Sequence, residues 1–257
     1  MNGAVRVATP VPQARKTQSR FADRDRLFYV IAAGMMLIFT AGGFRKFYLH
    51  GKAPWGDITS QIAPLVVLHG LAMTAWVTLF FVQSMLILLG YRRVHMLVLG
   101  RVGAVLAPCI VILGTAGAVT SIHFRPEIYA PLGGPRFFLA TMLMELAAFG
   151  AFVGIGLANR RRPEIHRPMM LLATIAMLSA ALGRLPYVEN LSQRPPLYVM
   201  GPPLLFGAFL LLLQWGMNKA LNRWYLIGFA GITIASFLAV GVGSTAFWNH
   251  LVGPLVP

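Results

Sequence analysis

Between Ile62 and Gly90 the sequence contains no Asp, Glu, Lys or Arg. An uncharged apolar run of this length crosses the roughly 30 Å hydrocarbon core of a bilayer even when tilted. Within the run, His69, Trp76 and Gln83 stand at i, i+7 and i+14, so they share one helix face. A polar stripe exposed to hydrocarbon is costly. The stripe therefore predicts that this helix packs among others and does not face lipid all round.

The rest of the chain follows the same pattern. Of its 257 residues, 57% are hydrophobic and only 11% charged, and the mean hydropathy is +0.69. Those values belong to polytopic helical membrane proteins. The apolar runs are continuous and do not alternate, which excludes a transmembrane β-barrel. The single cysteine, Cys109, lies inside an apolar run and permits neither an intramolecular disulfide nor a cysteine-based metal framework. The formal net charge of +15 does not point to nucleic acid. The basic residues cluster between apolar runs, where they set membrane orientation and meet anionic lipid head groups.

Seven spans are expected, near 27–49, 62–90, 94–122, 137–158, 168–188, 203–218 and 224–246. Prolines and glycines punctuate the intervals, among them Pro126, Gly133, Gly134, Pro163, Pro195, Pro196, Pro202 and Pro203. Residues 1–26 have no apolar periodicity and read as a disordered basic tail. The run that follows is too long for a cleavable signal. With the N-terminus inside, fifteen of the 22 Lys and Arg fall on the inner side and seven on the outer. The expected fold is thus all-α: a polytopic bundle of seven transmembrane helices over 27–257, N-in and C-out, with core hairpins at 62–122 and 137–188.

This topology sorts the residues that carry chemistry. Glu145 is the one acidic residue deep within a span, some nine residues in, or roughly 14 Å at 1.5 Å per residue. Such a carboxyl either handles protons, ligates a metal, or simply hydrogen-bonds a neighbouring helix in its neutral form. His69 lies about two turns inside the second span, with Gly70 beside it giving room. It is a metal-ligand or proton-relay candidate, with a hydrogen-bonded core histidine as the alternative. His95 and His166 each follow an arginine-rich segment and open an apolar run, as RRVHMLVLGR and RRRPEIHRPMM. This shared punctuation suggests a weak internal repeat. One histidine from each hairpin would hold a cofactor, its carboxylates paired by nearby arginines such as Arg101; the alternative is a pair of interfacial helix caps. Gln83 and Arg184 complete the cofactor-binding candidates. The thirteen methionines form no cluster converging with histidine and read as adaptable packing. Tyr48, Trp55, Tyr129, Tyr187, Tyr198, Trp215, Trp224, Tyr225 and Trp248 read as interfacial belts. The last span has no lysine, which excludes a retinal-binding microbial rhodopsin.

The series His69, then His95-x-x-x-x-Gly100-Arg101, then Arg162-Pro-Glu-Ile-His166-Arg167-Pro-Met169-Met170 resembles a group of uncharacterised bacterial multi-helix membrane proteins. Their signature has the form H…HRxLG…HRxxM. Some of that group look distantly similar to membrane-bound b-type cytochromes, and the similarity covers roughly 62–190. Met96 stands where the commoner form has Arg. The resemblance implies the bacterial inner membrane, and haem b or another metal ligated by His69, His95 and His166.

Three functions fit these features. The first is a redox protein passing electrons between quinone and a partner, with Glu145 handling protons. Because His69 lies toward the outer side and His95 and His166 toward the inner, the inner pair would hold one site. His69 would need another partner, His50 or His123. The second is a non-enzymatic accessory or assembly subunit of a larger membrane complex. The third is a small-solute carrier with Arg45, Glu145 and Arg184 along its path.

Overall fold

The computed structural model describes residues 13–50, 62–186, 188 and 194–256. Of the features named above, residues 1–12, Trp55 and Tyr187 lie outside the described residues. The described chain is all-α, with no strand. Its long helices are α1 (Gln13–Gly43), α3 (Ala63–Leu88), α5 (Gly100–Phe124), α6 (Pro135–Ala158), α9 (Pro195–Asn218) and α10 (Arg223–Gly243). Each contains or belongs to a stretch long and apolar enough to cross a membrane, six in all. The shorter helices are α2 (Arg45–His50), α4 (Arg92–Val94), α7 (Pro163–Ala176), α8 (Ser179–Leu182) and α11 (Ala246–Leu251).

The boundaries have local causes. Proline stands at the first or second position of α3, α6, α7 and α9, where its missing N–H would have had no helical partner. Gly133 and Gly134, both at φ 92°, turn the chain into α6. Asn222 accepts hydrogen bonds from the N–H groups of Trp224 and Tyr225 and caps α10.

The centre of the bundle is a short helix. Nine of the 14 residues of α7 are buried, and it packs against both α6 and α10, which also pack against each other. Leu171, Leu172 and Ile175 of α7 have no exposure and meet a core that includes Phe28, Trp76, Phe149, Leu210 and Tyr225. At 14 residues α7 is about 21 Å long, too short to span. The chain bends at Met177 and Leu178, then makes the single turn of α8.

Hydrogen bonds identify the two ends of the bundle. At one end Arg167 meets Asp25 at 2.8 Å and Asn222 Nδ2 donates to the Glu164 carbonyl at 2.9 Å. At the other, Trp248 Nε1 donates to the Arg136 carbonyl at 2.8 Å and Tyr198 donates to the Gly183 carbonyl at 3.2 Å. The Asp25–Arg167 pair is partly exposed and joins residues 142 positions apart. A double-mutant cycle of Asp25→Asn and Arg167→Gln is expected to give a coupling of about 1 kcal/mol that shrinks as salt is raised.

Three expectations change. Helix α1 begins at Gln13, so residues 13–26 are helical and not a disordered tail; Gln, Ala, Arg and Lys in that stretch are good helix formers. The expected fifth span, 168–188, is not one helix but α7 followed by α8. Helix α9 begins at Pro195, eight residues before the expected span, and carries Pro202 and Pro203 within it. An interior proline forfeits one helical hydrogen bond, and packed apolar helices tolerate that loss.

Candidate functional site

The residues at the break between α7 and α8, Met177 and Leu178, border a large space at the Trp248 end of the bundle. A cavity of about 280 Å³ lies there between α1, α3, α5, α6, α8 and α9. Most of its wall is apolar, with Met73, Val77, Leu132 and Leu146 prominent. His69, Glu145 and Arg184 also line it, with the tyrosines Tyr129 and Tyr198.

Each is held differently. Ser179, the first residue of α8, donates to Glu145 Oε2 at 2.7 Å. That bond ties α6 to the segment beyond the bend. The His69 ring is hydrogen-bonded to the backbone of Ile110, while its Nδ1 is buried without a partner. Room for the imidazole comes from Gly114, where an added Cβ would lie 2.9 Å from His69 Cε1. Gly70 instead faces the Phe47 ring at 3.6 Å. The Arg184 guanidinium donates through Nη1 to the Ala180 carbonyl and stacks over Phe44 at 4.5 Å, and its Nε is buried without a partner. Beside it, the Tyr129 and Ser121 hydroxyls are bonded at 2.6 Å. Burial pushes the Tyr129 phenol above its ordinary pKa, so this wall presents a neutral hydroxyl.

The stripe on α3 runs from this cavity to a second, smaller space. Trp76, midway, is buried and donates to Thr174 Oγ1 at 3.1 Å. Gln83, about 21 Å along the helix from His69, lines a space of about 30 Å³ together with His95 and His166. The two imidazoles are 6.4 Å apart, centroid to centroid. His166 Nδ1 lies 2.8 Å from the Gly156 carbonyl and so carries the hydrogen, leaving Nε2 as an acceptor. His95 Nδ1 is buried without a partner.

The structure thus separates the sequence candidates into two groups. His69, Glu145 and Arg184 share the large cavity; Gln83, His95 and His166 share the small space. Arg101 is exposed and lines neither. Arg45 does not line the large cavity, and neither do His50 or His123; His123 Nδ1 lies 3.3 Å from the Leu255 carbonyl.

A haem between His95 and His166 needs a slot for a porphyrin, and the space there has the volume of about one water. Arg26 and Arg167 line the same space and disfavour a bare cation. The large cavity offers one imidazole, not two. Among the described residues no group of three or more His, Cys, Asp or Glu is placed to hold a metal ion. The residues present do not fit a haem.

Ser179, Ser121 and Gly114 carry no signal in the sequence, because each acts on a residue of another helix or turn, and Tyr129 reads there only as an interfacial aromatic. Comparison of the chain with protein-family models, curated proteins and solved structures finds no match.

Proposed function

We propose that this is a seven-crossing protein of the bacterial cytoplasmic membrane, N-terminus inside, that binds a small amphipathic molecule within the membrane. In this reading α7 and α8 form a broken seventh crossing, and Glu145 exchanges a proton as the molecule binds or leaves. One observation carries the proposal: a single apolar cavity of about 280 Å³ holds Glu145, His69 and Arg184 together. Ionisable groups at membrane depth are costly, and where they line a cavity they mark a path or a ligand site. A mostly apolar wall with a few convergent polar groups is the usual form of a small-molecule site.

The lysine and arginine asymmetry supports the orientation. The alternation of helices between the two ends supports the crossing number. Electron transfer through a haem is not part of the proposal. A quinone head group, taken as a ligand and not as a fixed cofactor, falls within the ligand class, since Arg184 can donate to its carbonyls.

The test uses the purified full chain in nanodiscs. Thermal stability is measured with octanoate, octanamide, octanol and duroquinone, in the wild type and in Gly117→Met. Gly117 lines the cavity, and a Cβ there meets nothing within 4 Å, so the methionine fills space without a clash. At least one probe is expected to raise the Tm of the wild type, and Gly117→Met to remove that effect while folding normally. Calorimetry in two buffers of different ionisation enthalpy is expected to show proton linkage that Glu145→Gln abolishes. Equal stabilisation of Gly117→Met by every probe would overturn the reading.

A further inference from the structure

The half-buried guanidinium in the cavity wall says more about the ligand. Arg184 donates to one backbone carbonyl and stacks on one ring. Neither contact supplies a negative charge. Three other partly buried arginines do have one: Arg167 pairs with Asp25, Arg26 with Asp23 and Arg125 with Glu127. Among the described residues no carboxylate pairs with Arg184. The acidic residue of the same cavity, Glu145, is instead bonded to Ser179.

A guanidinium stays charged in proteins, and an uncompensated buried charge is strongly destabilising. Of its remaining donors, Nε is buried and has no acceptor. Arginine is the side chain best shaped to take an oxyanion through its edge. The charge count is also definite. One guanidinium offsets one negative charge, and a second would sit unpaired against an apolar wall.

Resting on the proposal that the cavity holds a small amphipathic molecule, we infer that this molecule is a monoanion whose oxyanion is bound by Arg184, with its apolar body lying along Met73, Val77 and Leu146. A soluble carboxylate and the phosphodiester of an anionic lipid present the same chemistry. Phe44, stacked on the guanidinium at 4.5 Å, holds its plane.

The experiment uses the full chain in phosphatidylcholine nanodiscs, as wild type, Arg184→Lys and Arg184→Met. Octanoate and octanamide, matched in size and differing in charge, are titrated into each. A hydrogen bond to a charged group corresponds to roughly ten- to a hundredfold in affinity. The wild type is therefore expected to bind octanoate at least about tenfold more tightly than octanamide. Arg184→Met is expected to lose that preference while still binding octanamide, which also shows that the variant is folded. Arg184→Lys keeps the charge but not the planar edge and is expected to fall between.

A parallel series in nanodiscs containing phosphatidylglycerol separates the sources. Stabilisation by that lipid, absent in Arg184→Met, would identify the lipid oxyanion as the ligand and support the assignment equally. Equal binding of octanoate and octanamide by the wild type, with no Arg184-dependent lipid effect, would overturn the anion assignment and leave the cavity reading standing. Binding of no probe, with no lipid effect, would overturn both.

Discussion

Trp76→Ala is expected to destabilise the protein by about 3 kcal/mol or more. The indole is buried at 5% exposure, sits edge-on to Phe149 at 4.9 Å, and donates to Thr174. It therefore links α3 to α6 and α7 at one point. In a bilayer the separated helices already lie in an apolar medium, so little of the loss comes from transfer out of water. It comes from the void left between Phe149 and Thr174, which surrounding helices fill only in part. Trp76→Phe keeps most of the packing and loses the hydrogen bond, and is expected to cost about 1 kcal/mol. Unfolding in mixed detergent–SDS micelles measures both. Equal effects of the two variants would show that the hydrogen bond, and not packing, sets the contribution of Trp76.

Gly43→Ala is expected to be nearly as damaging, for the opposite reason. A Cβ at Gly43 would lie 2.2 Å from the Ala181 carbonyl oxygen and 2.9 Å from its carbon. Those are backbone atoms, so no side chain can swing aside. The end of α1 and the turn of α8 would have to part, at a cost of about 2 kcal/mol. Because Ala180, Ala181 and Arg184 line the cavity, the displacement reaches the candidate site as well. The neighbouring position is the control. A Cβ at Gly42 would meet the Leu185 methyl at 3.4 Å, an ordinary contact with a mobile group, so Gly42→Ala is expected to change stability by less than about 0.5 kcal/mol. The measurement is the difference in unfolding free energy between these two adjacent substitutions.

Much of the molecule was legible before any coordinates. Long uncharged runs dictate apolar helices, because only helices satisfy their backbone groups without water. The spacing of His69, Trp76 and Gln83 marked the face of α3 that turns inward, since helix periodicity is a local property. Glu145 stood out because a carboxyl within an apolar run is costly to bury. Histidines opening two similar hairpins were readable as a pair, and the rings do lie 6.4 Å apart.

Other features had no local signature. Nothing between Pro168 and Gly183 is a proline or glycine, so the break at Met177 could not be read, nor the cavity that Met177 helps to line. The space for His69 belongs to Gly114, 45 positions away on another helix, and not to Gly70 beside it. Arg184 read as a cofactor-binding or carrier-path candidate on the outer side, but nothing local showed that it packs on Phe44 in the wall of the cavity.

The opening stretch, Ile62 to Gly90, shows the division. By itself the sequence determined that this segment is an apolar helix with one polar face, because charge and period are properties of consecutive residues. Only the tertiary structure decided that this face serves two separate spaces, His69 in the large cavity and Gln83 beside His95 and His166. Which groups converge on a cavity depends on how distant helices pack, and packing is settled by shape and contact between residues that no local period relates.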